Sequence, residues 1–152
     1  MSAITWERDV FTEGPEEIAI RQGLVVTRIA GGALMLTGLL HGASLLQTAM
    51  FGHQSFPIVL GELVFVTLCL VHVFAGSRAY DGSVFFAGLG AAAGFGGAGF
   101  AALWFGLLLS WGVLALLPLL AVVVGGLCGL ACVAAVPFAV RVSAARRALV
   151  EG

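Results

Sequence analysis

The chain has 152 residues, of which 61% are hydrophobic and 10% charged, with a net charge of −1. Soluble domains carry about 45–50% apolar and about 25% charged residues, so a water-soluble globule is excluded. The near-neutral charge removes the electrostatic footprint of a nucleic-acid partner.

The mean hydropathy is +1.10, and the apolar residues come in continuous blocks. Strands of a membrane barrel would alternate apolar and polar side chains over about ten positions. The expectation is an all-α integral membrane protein. The chain has no Lys and no Asn, a bias that points to a GC-rich bacterial source and so to the inner (cytoplasmic) membrane.

Residues 1–22 form a polar, acidic head without the apolar core or cleavage site of a secretory signal. Within it, Gly14-Pro15-Glu16-Glu17 reads as a helix start, with Pro at the first helical position and acids that complement the helix dipole. A short amphipathic helix is expected from there, broken at Gly23 or continuous with the first span.

About 20 apolar residues cross a bilayer. On that scale the spans fall near 24–50, 57–76, 84–109 and 113–140, joined by GHQS, SRAYDGS and a turn at Ser110-Trp111-Gly112. A basic tail covers 141–152. The fold expected is a four-transmembrane-helix bundle with short outer loops. All seven arginines then lie on one side: Arg8, Arg21 and Arg28 before the first span, Arg78 between the second and third, and Arg141, Arg146 and Arg147 after the fourth. The positive-inside rule places both termini in the cytoplasm. Phe51, Phe56, Trp104, Phe105 and Trp111 are expected in an outer aromatic belt.

Small residues recur at three- and four-residue spacing. Gly38 and Gly42 lie in the first span, Gly90, Gly94 and Gly97 in the third, and Gly125 and Gly129 in the fourth. Such residues let helix backbones approach where lipid supplies no hydrophobic drive. They serve packing within the bundle, an interface with a second copy, or an interface with other membrane subunits. Cys69, Cys128 and Cys132 sit in apolar runs and read as packing thiols.

The polar residues inside apolar sequence concentrate in the first hairpin. Thr37, His41, Ser44 and Thr48 form one stripe on the first span. Glu62, Phe65, Cys69, His72 and Gly76 form one on the second. Counting ~1.5 Å per residue from the hairpin turn puts Glu62 level with Ser44 and His41 a turn deeper. The expected cluster is His41, Ser44 and Glu62, with Glu62 either neutral or paired with His41. It serves as a polar latch between the helices or as a proton-linked or cation site. His72 is expected nearer the inner edge, with Arg28. On this count the two histidines differ in depth by ~9 Å, which disfavours haem held by both within one chain and leaves haem shared across a dimer. His53 with His41 and Glu62 matches no metal-site spacing.

The stretch RIAGGALMLTGLLHG, followed by a second span with an early GEL, resembles the DoxX-type four-helix membrane proteins. The resemblance covers the first hairpin, and the Gly-rich third span departs from it. It implies a four-helix bundle and carries no site residue with it.

No motif of a soluble enzyme occurs, and the extramembrane segments are too short for a soluble active site. The functional expectation is a non-enzymatic subunit or scaffold of a membrane assembly, without a required cofactor. The alternatives are an oligomeric proton-linked permease using Glu62 and His41, and a redox subunit with His-ligated haem.

Overall fold

A computed structural model describes residues 14–50 and 56–151. The readings placed on residues 1–13, Phe51 and His53 lie outside these. The chain forms four helices: α1 (Pro15–Ala49), α2 (Phe56–Tyr80), α3 (Val84–Ser110) and α4 (Leu116–Glu151). Each is long and apolar enough to cross a membrane.

Local chemistry explains the helix ends. Gly14 precedes Pro15, and its N–H donates to the Glu17 carboxylate at 3.2 Å, the reach-back half of a capping box. The helix begun there runs through Gly23 without a break. Gly23 packs against Val142 and the Phe138 carbonyl of α4, so the missing side chain permits close approach.

The α2–α3 turn passes through Gly82 at φ 84°. The α3–α4 turn closes as a Schellman motif. Gly112, at φ 74°, donates to the Leu109 carbonyl, and Val113 to that of Leu108, both at 2.9 Å. Gly112→Ala should therefore lower stability by about 1 kcal/mol, read as a shift in the midpoint of detergent unfolding. Pro118 lies in the first turn of α4, where no intrahelical donor is lost. The residues expected as a basic tail continue α4 as helix to Glu151.

The helices run up and down. Gly31 meets Gly76 and Tyr80, and Gly38 meets Cys69 and His72, so α1 and α2 are antiparallel. Gly94 lies on Gly125 and Gly129, so α3 and α4 are antiparallel too. α1 packs on α2 and α4, and α3 on α4 and α2. α1 also touches α3 across one diagonal, while α2 and α4 stand apart on the other.

Two apolar clusters fill the interior. One, toward the end bearing the chain termini, contains Leu34, Ala79, Cys128, Cys132 and Ala135. The other contains Ile58, Phe65, Trp104, Leu108 and Ala115.

Trp104 corrects the expected aromatic belt. It is 5% exposed, packs edge-on against Phe65 at 5.9 Å and covers Gly61 of α2. Glycine on the facing helix makes room for the indole, a pairing that a count of membrane depth does not reveal.

All seven glycines singled out for packing face a neighbouring helix within the bundle: Gly38, Gly42, Gly90, Gly94, Gly97, Gly125 and Gly129.

Candidate functional site

Between the two apolar clusters lies a pair of fully buried imidazoles. The rings of His41 on α1 and His72 on α2 have centroids 4.9 Å apart and planes inclined at 58°. Phe65 flanks His41 at 5.8 Å. The backbone of α3 closes over both rings at Gly97. A Cβ built there would stand 2.7 Å from His41 Nε2 and 3.2 Å from His72 Nε2. The two Nε2 atoms thus converge on one point, and only a residue without a side chain fits above them.

The ~9 Å depth difference expected from the sequence does not separate the rings, for two reasons. The helix register sets Gly38 against Cys69 and His72, sliding the histidines closer than a count from the hairpin turn suggests. Side chains on a helix also lean toward its N-terminus. In an antiparallel pair, His41 leans toward the end bearing the chain termini and His72 toward the hairpin turn, so the rings move toward each other.

The hydrogen bonding is one-sided. His72 Nδ1 lies 2.7 Å from the Leu68 carbonyl oxygen. A carbonyl only accepts, so Nδ1 carries the proton, and a neutral His72 presents a bare lone pair at Nε2. Both nitrogens of His41 have no partner among the described residues; His72 Nε2 makes no well-formed hydrogen bond either, although the Ala93 backbone of α3 lies beside the ring. No hydrogen bond therefore ties His41 to Glu62. Glu62 is half-buried, and no ion pair reaches it among the described residues.

Thr37 and Ser44, both buried, donate back to carbonyls of their own helix, Thr37 to Ala33 at 2.8 Å and Ser44 to Leu40 at 2.9 Å. The structure thus places His41 against His72, with Ser44 one turn along α1 and Glu62 outside the pair. Arg28 is exposed, with its guanidinium 5.4 Å from the Tyr80 ring centroid, and is remote from His72.

The site does not suit haem. Axial ligation puts a macrocycle between two imidazoles. Here the centroids are 4.9 Å apart, and the α3 backbone seals the pair at Gly97. No group of three or more His, Cys, Asp or Glu poised for a metal exists among the described residues.

The sequence pattern flagged each histidine but missed their contact. The lean of side chains in an antiparallel hairpin was the available signal, together with Gly97 on the third span as the place where a backbone must come close.

These features define a class: an all-helical bundle of four helices, each able to cross a membrane, around a buried and underbonded histidine pair. No family model matches the chain, and no curated protein or solved structure matches it.

Proposed function

We propose that the protein is a small non-enzymatic subunit or scaffold of a membrane assembly, built first on association with a second copy of itself. The observation that carries this reading is a second glycine face on α3. With the inward glycines used inside the bundle, Gly88, Ala92, Gly96 and Gly99 remain exposed along the opposite side. A Cβ at Gly88, Gly96 or Gly99 would meet nothing within 4 Å. A small-residue face against its own copy gives close backbone approach, the main source of helix affinity in lipid. The gathering of arginines on one side supports cytoplasmic termini, and the absence of Lys and Asn supports a bacterial inner-membrane setting.

Energy transfer between labelled copies in vesicles tests this. Gly96→Leu should weaken association by at least about tenfold, equivalent to about 1.4 kcal/mol, while helicity stays unchanged. Full association in Gly96→Leu would leave a different subunit, or none, as the partner of that face.

A second reading, proton-linked transport, is favoured by the imidazole pair. An ionisable group at membrane depth is a functional hypothesis by default, and each neutral imidazole of the pair has one unprotonated ring nitrogen that can take a proton. The pair takes the role first assigned to His41 with Glu62. Proton flux in vesicles that survives replacement of both histidines by leucine would remove this reading.

A further inference from the structure

We propose that the cleft between the α2–α3 turn and the end of α4 binds the phosphate of an anionic phospholipid, held by Arg78, Arg146 and Arg147. The cleft has a volume of about 750 Å³ and is lined by these three arginines together with Ser83, Ser143 and Asp81 on its polar side. Phe74, Phe86, Val84 and Val150 line the rest.

Among the described residues that line the cleft, three arginines stand with one carboxylate, Asp81, and no ion pair joins any of the three to an acid. Arg146 donates instead to the backbone carbonyl of Asp81 at 3.2 Å. This leaves most of its fork for an anion and fixes it to the turn. The Arg78 guanidinium lies 5.8 Å from the Phe74 ring centroid, which holds it at the cleft wall.

Guanidinium forks recognise phosphate oxygens in a bidentate manner. Ser83, the N-cap of α3, makes no side-chain cap bond, so the first-turn amides of α3, next to the cleft-lining Ser83 and Val84, keep their donors. Phosphate is thus the chemistry that the polar half accepts.

The apolar half selects a lipid over a free phosphate. Phe74 and Phe86 meet edge-on at 5.4 Å, and both belong to helices that cross the membrane. Phe74 is 55% exposed on the outer surface of α2. A molecule with its phosphate on the arginines would lay an acyl chain along these rings and into the surrounding hydrocarbon. Inorganic phosphate leaves that half empty. The cleft lies where helices end and headgroups begin, the usual place for basic pockets that bind anionic headgroups.

Native mass spectrometry of the full chain in detergent tests the assignment. The probes are phosphatidylglycerol and phosphatidylcholine with identical acyl chains, and excess inorganic phosphate as competitor. The expected result is a phosphatidylglycerol adduct in preference to phosphatidylcholine, unmoved by inorganic phosphate. The adduct should fall about fivefold in Arg78→Gln and again in Arg147→Gln, neither of which touches the backbone bond of Arg146. Arg141→Gln is the control, because Arg141 sits over Phe138 outside the cleft and should leave the adduct unchanged. Equal retention of both lipids, displacement by phosphate, or an equal loss in Arg141→Gln would each overturn the proposal. The outcome is independent of whether the protein self-associates through α3.

Discussion

Gly94→Ala is expected to lower the stability of the bundle by about 3 kcal/mol, the largest effect of any single methyl group added to α3. The new Cβ would stand 2.7 Å from the Gly129 nitrogen, 2.8 Å from its Cα and 3.0 Å from the Gly125 carbonyl oxygen. All three are backbone atoms of α4, so no side chain can rotate out of the way and the helices must separate. Separation also loosens Gly125, which faces the Gly94 carbonyl and Ala98 in return. Helix propensity works the other way by about 0.5–1 kcal/mol and does not offset the clash.

Gly32→Ala on α1 and Gly126→Ala on α4 provide the internal comparison. Both lie inside long helices and off the α3 face proposed for self-association, and their Cβ atoms would meet nothing within 4 Å, so they should be neutral or slightly stabilising. Unfolding midpoints in mixed micelles, followed by helical circular dichroism, measure all three. If Gly94→Ala unfolds with the midpoint of Gly126→Ala, the close α3–α4 contact is not what holds that pair together.

The His41→Leu, His72→Leu double variant is expected to be more stable than the parent by about 2 kcal/mol. Both ring nitrogens of His41 are buried without a partner, and each such group carries a desolvation cost of about 1–3 kcal/mol. Leucine has a similar volume and no polar atom, and the interior on both sides is apolar. The Leu68 carbonyl loses its imidazole donor but keeps its place in the α2 ladder. A polar latch predicts the reverse sign, because a latch holds helices together through bonds that the double variant would remove. The same unfolding assay therefore separates a structural pair from one retained for another reason. A gain in stability together with loss of proton flux would mark the pair as a working site, while a loss of more than about 1 kcal/mol would make it a structural element.

Much of the architecture was legible along the chain because hydrocarbon is a demanding solvent. Every backbone polar group must be satisfied within a spanning segment, so long apolar runs become helices whatever their neighbours. The turn at Trp111-Gly112 and the start at Gly14-Pro15 follow from short-range rules and are legible nearly to the residue. The spacing of small residues marks where helices can approach, while which of them face a neighbour inside the bundle is decided by the tertiary structure.

Contacts between helices were another matter. The sequence shows which face of a helix is polar but not how far one helix slides along the next or how a long side chain leans. Those two quantities brought His41 and His72 together, left Glu62 apart from them and buried Trp104 against Gly61. They also gathered Arg78, Arg146 and Arg147 around one cleft, although α2 and α4 do not otherwise meet. Solvent and local geometry chose the helices, whereas a register shift of a few ångströms, set by where glycine permits contact, chose the neighbours of every polar group inside them.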